Sequence, residues 1–261
     1  MSIKKISKGL RKIMVWTGAG ILVSAILLLM GASINEQKQL EVRSVVININ
    51  HETGNFFIDE ADVSRITQTF HGDLLQGSMV QDLNLKGMEE ILRDDPYVAE
   101  ANMYTDIKGT LFIDVIQRKP IARVINSNRV SYYIGSFGEK MPSSAKFTAR
   151  VPVCSGHIND NGLSTGLIDS TIVEGLYKLS SFIHQDEFWT AQIMQIYVTP
   201  EQEFELIPRL GEHRIIFGGA EDIEEKFDKL MLFYKEGLRN VGWGKYKSIN
   251  LKYHDQVVCT K

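Results

Sequence analysis

The stretch VAEANMYTDIKGTLFIDVIQR, residues 98–118, contains two runs with strand character that are joined by a short turn. In its second half apolar side chains recur at every second position, which is the period of a strand with one buried face. These alternating residues are Leu111, Ile113 and Val115. Lys108 and Gly109 separate the two runs and are typical of a tight hairpin turn. The stretch therefore predicts two paired strands.

Two helices and a further strand are predicted before this hairpin. Apolar residues recur at helical spacing in IDEADVSRITQTF, residues 58–70, and in NLKGMEEILRDDP, residues 84–96, where Pro96 ends the second helix. An earlier segment alternates like a half-buried strand, with the apolar residues Val45, Ile47 and Ile49. The predicted order over residues 42–118 is β-α-α-β-β.

Residues 119–261 predict a second, β-rich domain. Segments with strand character recur along it, at residues 121–126, 130–135, 151–156, 193–198, 204–207, 213–218 and 249–259. Two amphipathic helices interrupt the strands, one beginning near Thr171 and one running from about Glu221 to Leu238. The chain ends on the predicted strand INLKYHDQVVC, residues 249–259. The predicted fold class is therefore α+β.

The N-terminal region predicts a membrane anchor. Residues 1–12 hold five basic side chains and no acidic one, and they precede an apolar run of 22 residues, 13–34. A helix rising about 1.5 Å per residue would cross a hydrocarbon core of about 30 Å over that length. Because basic flanks stay in the cytoplasm, everything after a connector at residues 35–41 is predicted to be exported. A cleaved signal peptide is the alternative, since small residues occupy positions 31–33.

The charge balance of the exported part excludes one class of partner. After the apolar run, the chain holds 24 basic and 32 acidic residues, a net charge of about −8. Nucleic acid is bound by basic surfaces that release counterions, so this balance argues against a nucleic-acid partner. The exported length of 227 residues is sufficient for two modest domains.

Few residues suggest catalysis. Residues 162–166, Gly-Leu-Ser-Thr-Gly, match the turn that presents a nucleophilic serine in α/β-hydrolases, and Asp169 and His184 follow Ser164 in the order of a triad. That turn requires a buried strand before it, whereas residues 157–161 are polar. The six histidines are scattered without a second ligand at metal-binding spacing. We predict no enzyme, metal or cofactor site, with an anchored serine hydrolase as an alternative.

Cys154 and Cys259 are the two cysteines of the chain. Both lie in the region predicted to be exported, where disulfides persist, but no spacing motif links them. The sequence therefore leaves two alternatives, a disulfide between the two cysteines or two separate buried thiols.

A single anchor, a β-α-α-β-β unit and a strand-rich domain together resemble the FtsQ/DivIB family of bacterial cell-division proteins. Three short motifs carry the resemblance, namely Pro-Tyr-Val-x-x-Ala at residues 96–101, Gln-Arg-Lys-Pro-Ile-Ala at 117–122 and Asn-Leu-Lys-Tyr at 250–253. The chain departs from the family pattern at three positions, where Asp95 replaces an apolar residue, Gln117 an acid and Lys252 an arginine. Lysine cannot reproduce the bidentate contact of a guanidinium group.

The resemblance implies that residues 42–118 form a POTRA domain, a small polypeptide-docking module, and that the chain is a non-enzymatic division scaffold. It also implies that the C-terminal strand is an open edge to which the single-span proteins FtsB and FtsL add a strand. The implied partner-binding residues are Lys252, Tyr253, Gln256, Val257 and Val258. Arg118 and Pro120 mark the implied junction between the POTRA domain and the β-rich domain, residues 119–261.

Further expectations follow from the same resemblance. Tyr253 is expected either to anchor the partner or to be a core aromatic paired across the sheet. The first POTRA helix and the Arg118 junction are expected to dock division proteins that arrive earlier. The implied location is the inner membrane at the septum, with the N-terminus in the cytoplasm and the larger part in the periplasm. A POTRA-bearing component of protein translocation or outer-membrane assembly is the alternative, against which the two helices and uneven strands of residues 119–261 argue.

Overall fold

The computed structural model describes residues 40–51, 54–163, 168 and 170–261, together with Leu22 and Ser24. The predicted anchor, residues 13–34, lies outside the described residues apart from those two helical positions. Across the part of the chain that is described, no helix is both long and apolar enough to cross a membrane.

The chain divides into two compact units. The smaller unit contains the described residues up to Ile49, Asp59–Asp95 and Glu100–Val115, and the larger unit contains Asn50–Ile58, Pro96–Ala99 and Ile116–Lys261. Two short segments from early in the chain therefore belong to the larger unit. That residues 42–118 and 119–261 form two independently folding domains stays a prediction.

Residues 44–117 show the predicted order β-α-α-β-β. In chain order the elements are β1 (Ser44–Asn50), α1 (Glu60–His71), a 3-10 turn (Val80–Asp82), α2 (Leu85–Arg93), β2 (Val98–Thr105) and β3 (Thr110–Gln117). The strand order is β1-β3-β2, so the strand that begins after Gly109 is central. The predicted alternation on β3 is confirmed, because Leu111, Ile113 and Val115 are buried and the residues between them are not.

Side-chain caps set where the two helices begin. Asp59 accepts a hydrogen bond from the backbone N–H of Asp62, whose carboxylate accepts one from the N–H of Asp59. This reciprocal capping box satisfies two donors that the first turn of α1 leaves free. Asn84 accepts from the N–H of Gly87 in the same way at the start of α2.

The other strands that the structure describes form one mixed sheet of nine strands. In chain order the remaining elements are β4 (Pro120–Ile125), β5 (Ser131–Gly135), β6 (Lys140–Pro142), β7 (Val153–Gly156), α3 (Thr171–Gln185), α4 (Glu187–Gln192), β8 (Ile193–Val198), β9 (Phe204–Pro208), β10 (Arg214–Gly218), α5 (Ile223–Leu232), β11 (Ser248–Asn250) and β12 (Val258–Thr260). The order across the sheet is β12-β11-β10-β9-β8-β7-β4-β5-β6. β7 pairs parallel with β4 and with β8, and β10 pairs parallel with β11.

The two predicted amphipathic helices, α3 and α5, supply the helical side of the core. Their large buried apolar residues are Val173, Leu176, Leu179 and Ile183 on α3, and Phe227 and Leu230 on α5. α5 continues into a π-helical turn, Phe233–Leu238, and a last turn, Arg239–Val241. The short helix α4 was not predicted, because six residues make fewer than two helical turns and show no clear period.

The prediction of one C-terminal strand over residues 249–259 is wrong. The chain forms a hairpin in this region, with β11 and β12 paired antiparallel around a turn at residues 253–255. The alternation that suggested one strand stops at Leu251, which is fully buried, whereas the side chain of Tyr253 is 49% exposed. The run of alternating apolar residues therefore ends before the turn and does not support a strand through it.

Candidate partner-binding surfaces

β12 is an edge strand of the large sheet. It pairs with β11 on one side, where Ile249 lies opposite Cys259, and no described strand pairs with its other side. A strand paired on one side only leaves backbone N–H and C=O groups free along its outer side. Of the predicted partner-binding residues, Val258 lies on this strand, with 38% of its surface exposed.

Lys252 follows β11 and is oriented by a distant acidic residue. Its Nζ atom lies 2.6 and 2.8 Å from the two carboxylate oxygens of Glu203. This hydrogen bond is the main reason that the pKa of Lys252 lies above its ordinary value. The backbone N–H of Lys252 donates to Oδ1 of Asn250 at 2.9 Å. The ammonium group is therefore exposed but already paired within the chain.

Gly218 makes room for the aliphatic stem of Lys252. Its φ angle of +79° is in the left-handed region, and a Cβ at this position would lie 3.0 Å from Cγ of Lys252. A residue with a side chain would be strained in that backbone conformation and would also crowd the lysine. The end of β10 therefore helps to set the position of Lys252.

Tyr253 lies in the hairpin turn and is held through its backbone. Nζ of Lys229 donates to the carbonyl oxygens of Tyr253 and His254 at 2.8 and 2.9 Å. Oε1 of Glu225 forms an ion pair with Lys229 at 3.3 Å and lies 3.0 Å from Nδ1 of His254. The half-exposed ring does not fit the alternative in which Tyr253 is a core aromatic. The turn is thus attached to α5 and leaves its aromatic side chain accessible.

Gln256 and Val257 border a cavity of about 300 Å³ beside α5 and its π-helical turn. The opposite wall includes Leu232, Phe233 and Gly237. Leu232 is 64% exposed, so its side chain adds apolar surface beside the cavity. Because Val257 directly precedes β12, this apolar cavity continues the surface of the open edge.

Arg118 is fixed by the main chain of the larger unit. Its backbone N–H donates to the carbonyl oxygen of Tyr97 at 2.8 Å, and its Nε donates to that of Val98 at 3.0 Å. Its Nη1 lies 3.7 Å from Oε1 of Glu139. Its side chain is mostly buried, so the guanidinium group braces the segment around Tyr97.

Pro120 begins β4 and forms part of the wall of a cavity of about 510 Å³ within the larger unit. Lys119, Arg150 and His184 also line this cavity. Burial lowers the pKa of His184, and the nearby positive charge of Lys119 lowers it further. Pro120 is itself buried, so its role here is structural.

Gln117 fastens an early segment of the chain to the end of β3. Its Oε1 accepts hydrogen bonds from the backbone N–H groups of Phe57 and Ile58 at 2.9 and 3.2 Å. Its Nε2 donates to the carbonyl oxygen of Asn55 at 3.0 Å. A carboxylate could accept the first two hydrogen bonds but could not donate the third. The amide that replaces the family's acid therefore fits this site chemically.

Two ionic partners in this region were missed by the sequence reasoning. Glu203 lies 49 positions from Lys252, and Lys229 lies 24 positions from Tyr253. Both are ordinary charged residues in polar surroundings, so nothing in their local sequence distinguishes them. Only the tertiary structure brings Glu203, which precedes β9, and Lys229, on α5, to the C-terminal hairpin.

The cysteines are free thiols in separate parts of the sheet. Cys154 lies in β7 and Cys259 in β12, with four strands between these two in the sheet order. Burial raises the pKa of Cys154 to about 12 and also raises that of Cys259. These observations favour the alternative of two thiols.

The described part of the structure does not bring together the side chains that were candidates for catalysis. Ser164 and Asp169 lie outside the described residues, and His184 lines the larger cavity beside Lys119. Over the residues with described positions, no group of three or more His, Cys, Asp or Glu side chains is placed to hold a metal ion.

Comparison with protein families gives two matches. A family model described as "FtsQ/DivIB, C-terminal related" matches residues 119–260, which is more than half of the chain. A second model, described as a POTRA-like domain, matches residues 41–116. No curated protein matches the chain.

Proposed function

This chain belongs to the FtsQ/DivIB family of bacterial cell-division proteins, and on that premise we propose that it is a membrane-anchored scaffold that holds single-span division proteins. The proposed partners are of the FtsB and FtsL type, and the proposed site is the C-terminal hairpin. Residues 13–34 would anchor the scaffold, so that it and its single-span partners would meet by diffusion within the membrane. The family is non-enzymatic, and the work proposed for this chain is protein contact alone.

The open side of β12 is the observation that carries the proposal. Its free N–H and C=O groups can template an added strand, and side chains at alternate positions can select the partner. Because β12 contains only three residues, a few backbone hydrogen bonds alone would give a weak and unselective contact. Side-chain contacts around the edge must therefore contribute much of the affinity and specificity.

The surroundings of the edge supply such contacts. Tyr253 presents a half-exposed ring, and Leu232 and Val258 add exposed apolar surface. The cavity between Val257 and the π-helical turn can receive an apolar side chain of the partner. Aromatic anchors surrounded by a polar rim are typical of residues that dominate binding energy, so Tyr253 is the proposed main anchor.

A second docking surface is proposed on the POTRA-like domain, at helix α1. This helix exposes Phe70, with 43% of its surface accessible, together with polar residues. Earlier-arriving division proteins are the proposed partners of this surface. Arg118 would support this surface indirectly, since its backbone N–H and its Nε donate to carbonyl oxygens of the segment that it braces.

The test of the proposal is co-purification of the full-length chain, in detergent, with the FtsB- and FtsL-type proteins of its host. Tyr253→Ala should remove most of the captured partner without changing the melting temperature, because the ring is half exposed. Phe137→Ala is the matched control, since Phe137 is an 87% exposed aromatic at another hairpin turn. Equal capture by both variants would rule out the proposed anchor.

Hydrogen exchange tests the mode of binding. Strand addition should slow exchange of backbone amides in residues 258–260 when the partner binds, whereas side-chain docking alone should leave them unchanged. Depletion of the chain in its host tests the wider role. Long undivided cells are expected, and normal septa would exclude a role in division.

A further inference from the structure

Three segments meet at one end of the smaller unit. The leading segment, residues 40–43, lies between the loop at residues 73–80 and the hairpin turn at residues 106–109. Backbone hydrogen bonds join the leading segment to the loop, from Val42 to Ser78 at 2.9 Å and from Val80 to Leu40 at 2.8 Å. On the other side, the N–H of Arg43 donates to the carbonyl oxygen of Gly109 at 2.8 Å. We call these three segments the N-terminal end of the unit.

Gly109 allows the hairpin turn to approach the leading segment closely. Its φ angle is +83°, and a Cβ at this position would collide with the carbonyl oxygen of Glu41. Only glycine fits this backbone conformation at that separation. The turn between β2 and β3 is therefore fixed beside the point where the described chain begins.

Large apolar side chains are exposed on both loops that flank the leading segment. Ile107, in the hairpin turn, is 81% exposed. Leu74 and Met79, in the other loop, are 62% and 43% exposed. A single exposed leucine would need no explanation, but three large apolar residues at one end of a small unit indicate an interaction surface.

The sequence before Leu40 indicates what covers this surface. The apolar run of residues 13–34 ends six positions before Leu40. Six residues span at most about 20 Å when fully extended. The N-terminal end is thus tethered within that distance of the predicted span, and the bilayer is the surface to which the chain is attached at this point.

The charges of the N-terminal end decide the kind of contact. Arg43 and Lys108 are basic, whereas Glu41, Asp73 and Asp106 are acidic, so the end carries no positive excess. Attraction to anionic lipid requires a cluster of basic residues. The contact must therefore depend on apolar side chains.

We infer that the N-terminal end of the smaller unit rests on the outer surface of the membrane, with Ile107 inserted into the lipid interface and Leu74 and Met79 beside it. The partner surface is lipid and the contact is apolar. This inference rests on the membrane anchorage in the proposed function, but it is independent of the binding of division proteins at β12. The contact would restrict the orientation of the POTRA-like domain relative to the membrane. The distance of α1 from the bilayer would then be fixed when its partners bind.

Lipid quenching of a fluorescent label tests the inference. The full-length chain is placed in phosphatidylcholine nanodiscs in a Cys259→Ser background, where the remaining Cys154 is fully buried. An environment-sensitive nitrobenzoxadiazole label is attached at Ile107→Cys. The matched control carries it at Ile116→Cys, near the other end of β3, where the native residue is 42% exposed.

Emission from position 107 should shift to the blue and lose intensity when the nanodiscs contain lipid spin-labelled near the headgroup, and position 116 should do neither. Raising the salt concentration should leave this quenching unchanged. A label at Met79→Cys gives a second measurement if the first variant folds poorly, with circular dichroism as the check on folding.

Several results would overturn the inference. Equal quenching at positions 107 and 116, or quenching that salt abolishes, would exclude apolar insertion at this end. Shielding without lipid quenching, together with cross-linking between two copies, would identify a second copy of the chain as the occupant. Failure of the chain to co-elute with nanodiscs would remove the anchor as well, whereas a nanodisc-bound chain without quenching would remove this inference alone.

Discussion

Nζ of Lys140 lies 2.9 Å from Oδ2 of Asp160, and both side chains are fully buried. The amide of Asn126 and the hydroxyl of Tyr132 also donate to the Asp160 carboxylate, at 2.9 and 2.7 Å, and Lys140 donates to the carbonyl oxygen of Gly162 at 2.7 Å. This network ties the loop that follows β7 to strands β5 and β6. Burial alone would raise the pKa of Asp160, but these hydrogen bonds and the charge of Lys140 outweigh it and lower the pKa.

Asp160→Asn should therefore destabilise the chain strongly. The substitution removes the carboxylate charge that lies 2.9 Å from a fully buried ammonium group, and breaking such a buried pair costs about 3–5 kcal/mol in the free energy of unfolding. Urea unfolding measures the loss. The double variant Lys140→Met/Asp160→Asn also removes the buried ammonium charge and should recover part of the lost stability. A single variant as stable as the wild type would show that the pair is solvated.

Gln117→Glu, which restores the acid of the family pattern, should destabilise this chain. The carboxylate would face the carbonyl oxygen of Asn55 in place of the amide donor, while still accepting from Phe57 and Ile58. Nδ1 of His51 lies 3.0 Å from the same carbonyl oxygen and would be its remaining partner, so the loss of the amide donor costs about 1 kcal/mol. Urea unfolding should show this loss, with faster hydrogen exchange of the Phe57 and Ile58 amides. Unchanged exchange would mean that the segment at residues 55–58 is held by other contacts.

The stability of the chain should fall in mild acid because of one buried and one partly buried histidine. Burial lowers the pKa of His213, which is 1% exposed with its Nε2 3.0 Å from the Tyr234 hydroxyl, and burial also lowers the pKa of His184. The unfolded chain then binds more protons below the ordinary pKa of 6.5. This contribution is fully present above that pH and is lost as the pH falls toward the folded-state values.

His213→Gln should weaken this pH dependence, because glutamine can still bond to Tyr234 but does not titrate. The measurement compares the free energy of unfolding at about pH 7.5 and about pH 5.5, on either side of the ordinary histidine pKa. His157→Gln, at an exposed position, is the control. An identical pH dependence in all three proteins would exclude His213 as a source.

Glu203→Gln should strengthen capture of a partner whose own carboxylate binds to Lys252. In the free chain Glu203 already pairs with Lys252, so an incoming acid must displace it. Lys252→Ala should weaken capture several-fold, and neither change should move the melting temperature, since exposed ion pairs contribute little to stability. Affinity measured for both variants checks this prediction. If both bind as the wild type does, the partner makes no charge contact here.

Regular periodicity explains which elements were predictable. The alternation of Leu111, Ile113 and Val115 on β3 is confirmed, as are the stripes of α3 and α5, because one buried face imposes a period on the residues that form it. The short helix α4 and the C-terminal hairpin carry too few residues to show a period. The α+β class and the POTRA-like order follow from the long elements and agree with the family matches.

Part of the candidate site could be predicted and part could not. A motif and its continuation predict the binding residues Lys252, Tyr253, Gln256, Val257 and Val258, and their role in binding stays a prediction. The sequence could not indicate that Glu203 pairs with Lys252 or that Lys229 donates to the carbonyl oxygen of Tyr253, because both contacts join segments far apart in sequence. Nor could it show that Gln117 acts as a donor to Asn55.

The sequence by itself determined the net negative charge of residues 35–261, the apolar run of residues 13–34 and the alternation of strands and helices, since each depends on residue type and local spacing. Only the tertiary structure decided that the last strand folds back at Tyr253, which makes β12 the open edge and leaves the tyrosine in the turn. The reason is physical. An edge is defined by which strands pair beside it, and pairing is settled by contacts between segments that are distant along the chain.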